Sequence, residues 1–235
     1  MTRRARVAPF GWAVLAACAL AAPAQASTLV VPSEQRLAIL QTDHVARTAP
    51  DLDAPRIESV PARRPLTGVP TALPVIRSVV RDRRTWLRVR LPGRPSGHRG
   101  WIRARRTRES STGWHLVVDL SARSVTAFAY GRAQRRFSAV VGKPSTPTPR
   151  GRFFIEEGVA VSSAHGGPYA LATSARSSVL QFFAGGPGQI ALHGTRNLAG
   201  APGTAASHGC IRLRTPDITW LARRIDGGVP LTIRS

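Results

Sequence analysis

Short stretches in which apolar and polar residues alternate recur along most of the chain, and a period of two is the mark of a half-buried β-strand. Residues 74–80 (PVIRSVV) and 86–91 (WLRVRL) show it first. The run Pro92-Gly-Arg-Pro-Ser-Gly97 reads as a turn, and residues 100–103 (GWIR) as the next strand. Further on, the pattern predicts strands over 114–119, 124–128, 137–141, 151–155 and 229–233, with the apolar 189–192 as another. One segment has helical spacing instead: Ile218, Leu221, Ala222 and Ile225 fall on one face of residues 215–226. Thr215 is the expected N-cap with Pro216 at the first helical position, and Gly227-Gly228 closes the segment. The expected class is mainly β, with one or two helices.

Composition agrees with short strands and turns, since 21 glycines and 19 prolines are scattered among the apolar runs. Hydrophobic residues make up 43% of the 235, enough for a buried core. Three regions follow: 1–26, 27–112 and 113–235. The first half is rich in Pro and Arg, and residues 27–70 read as linker or module of no clear pattern. Residues 104–112, dominated by Arg, Ser and Thr, read as a seam. The run Trp86-x-x-Val-x-Leu-Pro-Gly-Arg followed by Gly100-Trp-Ile resembles a bacterial Src-homology-three-like module, which implies a small barrel before the second half.

Charge changes the picture less than its size suggests. The net charge is +22, from 34 Lys+Arg against 12 Asp+Glu, and Lys143 is the single lysine. The arginines are spread over the whole chain rather than gathered on one element. The reading is a solvated basic face and attraction to an anionic cell envelope, with nucleic acid excluded as a partner by the N-terminus. That N-terminus has a basic start (Arg3, Arg4, Arg6), an apolar stretch from Val7 to Ala22, and Ala24-Gln-Ala26 before Ser27. This is the layout of a secretory signal, too short for a spanning helix of about 20 residues. Cleavage before Ser27 is expected. The alternative is lipidation of Cys18, because Leu15-Ala-Ala-Cys18 resembles a lipobox. Either way the expected location is periplasmic or cell-wall-associated.

With the leader removed, Cys210 of the two cysteines remains, a lone thiol in an oxidising compartment. Its neighbours give it a task. His193-Gly-Thr195 precedes Ser207-His-Gly-Cys210-Ile-Arg212 by 17 positions, histidine to cysteine, across a Gly/Ala/Pro-rich loop. A free thiol is only a few per cent thiolate at neutral pH, and an imidazole that takes its proton and returns it to a leaving group serves acyl transfer. Gly209 beside Cys210 would let backbone N–H groups face a developing oxyanion. Zinc on His193, His208 and Cys210 is the competing reading. Two of those three ligands would lie only two residues apart, with no second cysteine, so no metal and no cofactor is expected. His44, His98, His115 and His165 read as surface, core or loop residues.

The pattern His193-Gly-Thr…Ser207-His-Gly-Cys-Ile-Arg212 resembles the signature of the YkuD-type L,D-transpeptidase catalytic domain, over residues 113–235. Gly142-Lys-Pro…Thr146-Pro-Thr-Pro-x-Gly151-x-Phe153 and Gly167-Pro-Tyr-Ala170 extend the likeness. It implies a β-sandwich-like domain with the cysteine at the end of a cleft. It also implies attack by Cys210 on a donor stem tetrapeptide of peptidoglycan, and transfer of the acyl group to the side-chain amine of an acceptor stem. On the same resemblance His193 is proton acceptor and donor, and the Gly194 carbonyl orients its ring. Ser207 and His208 shape the pocket, and the N–H groups of Gly209 and Cys210 form the oxyanion hole. Tyr169, Thr195 and Arg212 are the expected substrate contacts, with packing the alternative for Arg212. The glycine- and serine-rich residues 158–188, which hold Tyr169, Phe182 and Phe183, read either as a mobile flap over the thiol, with Tyr169 its contact, or as a floppy insertion with its aromatics tucked into the core. The alternatives are an L,D-carboxypeptidase or cysteine wall hydrolase using the same thiol, and a non-catalytic wall-binding protein. Oligomeric state is left open by the sequence.

Overall fold

The computed structural model describes residues 1, 30–162, 166–182, 186–195 and 199–235. The leader with Cys18, and also His165 and Phe183, lie outside the described residues. Two sheets divide the described chain near Gly113. Seven strands build the first: β1 (Gln35–Leu40), β2 (His44–Arg47), β3 (Arg56–Val60), β4 (Ala72–Arg81), β5 (Arg84–Arg90), β6 (Arg99–Arg103) and β7 (Thr107–Thr112). Their order is β3-β2-β6-β5-β4-β1-β7, antiparallel throughout. The described residues 30–70 are therefore not a linker, and most of the expected seam is a strand. β7 pairs along the whole of β1, from Gln35↔Thr112 to Leu40↔Thr107.

The second sheet is built from β8 (Trp114–Asp119), β9 (Ser124–Ala129), β10 (Arg132–Ser138), β12 (Gly151–Ala160), β13 (Tyr169–Arg176), β14 (Gln189–Gly194), β16 (Ile211–Leu213) and β17 (Pro230–Arg234). Their order is β10-β9-β8-β17-β12-β13-β14-β16. A two-stranded parallel ladder, β11 (Val141–Gly142) with β15 (Ala205–Ser207), sits apart. The long strand β12 changes partner half-way. Residues 151–154 pair with β17, and 155–160 pair with β13 after a register shift between Ile155 and Glu157. That shift bends the sheet, because a bulge adds local twist.

Phe153, Phe154 and Ile155 read as an uninterrupted apolar run, and the structure gives the reason. Phe153 and Ile155 belong to the core of the second sheet, while Phe154 points the other way into the core of the first. A strand buried on both faces has no polar side to alternate with. Two buried acids follow on the same strand. Glu156 lies between Arg64 and Arg176, with the Arg176 Nη2 at 2.9 Å. Glu157 accepts hydrogen bonds from the Thr67 N–H (2.9 Å) and hydroxyl (2.6 Å). Burial pushes the Glu156 carboxyl above its usual value, against the pull of Arg176 and Arg64.

Among the described residues one helix occurs, α1 (Thr215–Ala222). It is shorter than the expected 215–226 and its N-cap is Arg214, not Thr215. Asp217 in its first turn is buried and accepts a 2.8 Å bond from the Arg214 Nε, an acid well placed against the helix dipole. Ile218 and Leu221 join the core of the second sheet, and Trp220 meets Trp114 edge-on at 5.9 Å. α1 packs against β13 and β14, so one face of those strands is covered and the other is left for chemistry.

Candidate active site

Strand β14 alternates cleanly. Ile190, Leu192 and Gly194 are buried, while Gln189, Ala191 and His193 are half-buried. β16 lies parallel beside it, with Leu192↔Ile211 and His193↔Arg212 in register. Side chains of paired residues share a face, so Leu192 and Ile211 enter the core together. Ala191, His193, Arg212 and the preceding Cys210 therefore lie on the opposite face. Cys210 comes one position before Ile211 and stands beside Ala191, two residues short of His193. A spacing of about 4.8 Å across strands and 3.3 Å per residue puts the two α-carbons roughly 8 Å apart, within reach of an imidazole and a thiol. On the other side β13 contributes Ala170 opposite His193 and Ala172 opposite Ala191. Small residues thus flank His193 and Ala191 on that face.

The ring of His193 is held by its own strand end. Its Nδ1 lies 2.8 Å from the Gly194 carbonyl oxygen. A carbonyl can only accept, so Nδ1 carries the proton and Nε2 is left with its lone pair. Burial lowers the His193 pKa, with Arg212 adding to the effect against the Gly194 hydrogen bond. Burial likewise pushes the Cys210 thiol above its usual value, opposed by the Ala191 backbone N–H and the Arg212 charge. Both shifts favour the uncharged forms, so the resting pair is thiol and neutral imidazole rather than thiolate and imidazolium.

The thiol turn is built from behind. Ser207 is fully buried; its hydroxyl donates to the Cys210 carbonyl at 2.6 Å and accepts the Gly209 N–H at 3.1 Å. Gly209 sits at φ +119°, and a Cβ there would lie 2.9 Å from Ile190 Cδ1, so the turn needs glycine. Residues 142–148 strap this turn in place. The Lys143 N–H donates to the Ser207 carbonyl (2.9 Å), the Thr148 hydroxyl to the Gly209 carbonyl (2.8 Å), and Thr146 to the Ser207 carbonyl (3.3 Å). Thr146 and Thr148 are positioning residues to which the sequence alone assigned no role. Their signal was present in the Thr-Pro repeat, whose prolines give up backbone donors while its threonines supply hydroxyl ones.

Two expectations need correction. The Gly209 N–H is bonded to the Ser207 hydroxyl and does not face an incoming oxyanion. Tyr169 is not a flap contact. Its neighbour Ala170 shares the His193 face, and Tyr169 turns the other way, packing on the core and lining a separate cavity with Val69 and Glu157. Much of the expected flap is in fact strand, since 158–160 belong to β12 and 169–176 are β13. Phe182 is exposed. Thr195 ends the β14 segment half-buried, and His208 is exposed at the thiol turn. Arg212 donates to the Ala199 carbonyl at 2.6 Å and remains close enough to bias both Cys210 and His193. Away from the cleft, His44 bonds backbone carbonyls and His98 meets Glu58.

The fold and site together define a β-sheet domain with a thiol and an imidazole on one face, His193 on β14 and Cys210 just before β16. The YkuD family profile, L,D-transpeptidase catalytic domain, matches residues 113–233, and the chain belongs to that family. It is 30% identical over 120 residues to a Bacillus subtilis (strain 168) protein named "Putative L,D-transpeptidase YkuD". That match covers 51% of this chain and 65% of the relative, so just under two thirds of the relative's length is spanned. An L,D-transpeptidase structure from Mycobacterium smegmatis is similar at 20% identity and a TM-score of 0.40, over 65% of this chain and 91% of that one. The catalytic domain of an E. faecium L,D-transpeptidase is similar at 20% identity and a TM-score of 0.39, over 52% of this chain and 96% of its own.

Proposed function

We propose that the chain is an L,D-transpeptidase that cross-links peptidoglycan stem peptides by cysteine acyl transfer. The observation that carries this is the His193–Gly194 hydrogen bond, which leaves Nε2 as a base on the same sheet face as Cys210. In the first half-reaction the Cys210 Sγ attacks the peptide carbonyl before the terminal D-residue of a donor stem tetrapeptide. His193 Nε2 takes the thiol proton as the S–C bond forms. The imidazolium then gives that proton to the leaving amine as the C–N bond breaks. The thioester on Cys210 is next attacked by the side-chain amine of an acceptor stem. His193 removes the amine proton and returns it to the departing sulfur. A thiol that rests uncharged suits this cycle, because deprotonation is deferred until substrate displaces water from the cleft.

With the Gly209 N–H engaged, the Cys210 N–H is the backbone donor we assign to the oxyanion. Arg212, fixed by the Ala199 carbonyl, supplies positive potential where negative charge develops. On the reading of residues 1–26 as a secretory leader, we assign the activity to the outside of the cytoplasm, where anionic wall polymers would attract so basic a chain.

The test is intact-mass spectrometry of the purified chain with a disaccharide–tetrapeptide, beside Cys210→Ala and His193→Gln. An adduct on the wild type alone, converting to a cross-linked dimer when acceptor amine is added, is the expected result. His193→Gln should slow adduct formation by about 10²-fold or more. Adduct that decays only to tripeptide would identify a carboxypeptidase or hydrolase instead. A Cys210→Ala protein with full activity would remove the assignment altogether.

A further inference from the structure

A cleft of about 380 Å³ opens where the turn between β5 and β6 meets the start of β12, at the junction of the two sheets. Four arginines line it: Arg90 at the end of β5, Arg99 at the start of β6, and Arg150 and Arg152 on either side of Gly151. No carboxylate is among the lining residues. Among the described residues, none of the four is in an ion pair, although Arg36, Arg64, Arg81, Arg176 and Arg234 elsewhere are. Arg90 and Arg99 face each other directly across the β5–β6 ladder, an arrangement that is destabilising for like charges. Arg90 also donates to the Arg152 backbone carbonyl at 3.0 Å, which brings the third guanidinium-bearing residue against the first two.

Two titratable groups beside the cleft, Arg90 and His115, feel the crowding. Burial lowers the Arg90 pKa to about 10, with Arg99 and Arg152 adding to the effect. His115, on β8 and bonded to the Thr232 hydroxyl of the intervening β17, is lowered to about 4 by burial and by the charges of Arg152 and Arg90. At neutral pH His115 is thus an uncharged side chain beside the cluster. Ser96 supplies a neutral donor at the rim, since its oxygen accepts the Arg176 N–H at 2.9 Å and its own proton is free to turn. The floor is Phe153, against which Gly97 packs closely.

We propose that this cleft is a phosphate-binding site. Four guanidinium groups around one concavity match an anion with three or more acceptor oxygens and more than one negative charge. A carboxylate offers only two oxygens and one charge. An anion seated there would offset the mutual repulsion of Arg90, Arg99 and Arg152 and would bridge the two sheets. The site is separate from the thiol cleft and does not depend on the reaction assigned to Cys210. The phosphate could come from a lipid headgroup or from free phosphate, and the experiment separates the two.

Inorganic phosphate is titrated calorimetrically into the full chain at about 0.1 M salt, where diffuse surface attraction is screened. The comparison is between Arg99→Gln/Arg150→Gln and a control pair, Arg77→Gln/Arg132→Gln. All four positions are exposed, and both pairs remove the same charge. One saturable site is expected in the wild type and in the control pair, with at least a tenfold weaker affinity in the cleft pair. Acetate should not compete. Absence of saturable binding in the wild type, or equal binding by the two double variants, would overturn the proposal. Co-sedimentation with vesicles containing phosphatidic acid, whose headgroup is a phosphomonoester with three terminal oxygens, then names the source. Loss of vesicle binding confined to the cleft pair identifies a lipid headgroup. Equal sedimentation of both pairs, with phosphate binding still lost only in the cleft pair, identifies free phosphate.

Discussion

Removing the Ser207 hydroxyl should loosen the thiol turn without touching the thiol. The residue is fully buried, and its hydroxyl makes two bonds, to the Cys210 carbonyl and from the Gly209 N–H. Two neutral hydrogen bonds contribute about 1 kcal/mol each, and leaving a buried N–H without a partner costs about another 1 kcal/mol or more. Ser207→Ala is therefore expected to lose about 3 kcal/mol. For a chain of this length that lowers the melting temperature by roughly 6–12 °C. Because Gly209 holds a left-handed conformation that the Ser207 bond stabilises, acylation of Cys210 should also slow, by about tenfold. Ser207→Thr keeps the hydroxyl and should recover most of the acylation rate. The assays are differential scanning calorimetry and the time course of adduct mass. A Ser207→Ala protein that melts within about 2 °C of wild type and acylates at the wild-type rate would refute this account of the turn. So would a Ser207→Thr protein as slow as the alanine variant, because the hydroxyl would then not be the operative group.

Two further outcomes follow from the electrostatics. Since the Cys210 pKa is raised and the His193 pKa lowered, alkylation of the substrate-free protein by iodoacetamide should climb steadily with pH into the alkaline range. A plateau of high reactivity between about pH 5 and 8 would show a resting thiolate–imidazolium pair and contradict the assignment. Arg64→Met should destabilise the chain by about 3 kcal/mol, because it strips one guanidinium from the buried Glu156 while leaving Arg176 in place. Its urea midpoint should then fall by roughly 1 M or more. The double variant Arg64→Met/Glu156→Gln should regain part of the loss, and failure to regain any would mean that packing rather than charge was removed.

How legible a feature was depended on whether its cause lay within a few residues of it. β14 could be read directly, because Ile190, Leu192 and His193 alternate within one strand and the two motifs carry their own spacing. The face shared by His193 and Cys210 could not, because it depends on a parallel register with β16, which lies well beyond β14 in the sequence. β7 was invisible to hydrophobic periodicity for a simpler reason. Its sequence Thr107-Arg-Glu-Ser-Ser-Thr112 contains no apolar residue, and what makes it a strand is the adjoining β1. Tyr169 shows the same rule in reverse: the glycine- and serine-rich stretch around it suggested a flap, whereas β13 pairs from both sides and fixes which way each side chain turns.

Charge was the least legible property, and its two outcomes on β12 show why. Glu156 and Glu157 look like the polar end of a strand, yet both are buried, because Arg64 comes to them from 92 and 93 positions away. Arg150 and Arg152 begin the same strand and look no different from the other arginines of a very basic chain. There the fold brings up Arg90 and Arg99 instead of acids. Burying an ion needs a partner of opposite sign, and the first half of the chain supplies one, Arg64, at one end of β12 and withholds it at the other. Composition sums over both ends and reports only an excess of arginine. The structure separates them, into a closed ion-pair cluster that joins the two sheets and an open arginine cluster that faces solvent with no carboxylate among its lining residues.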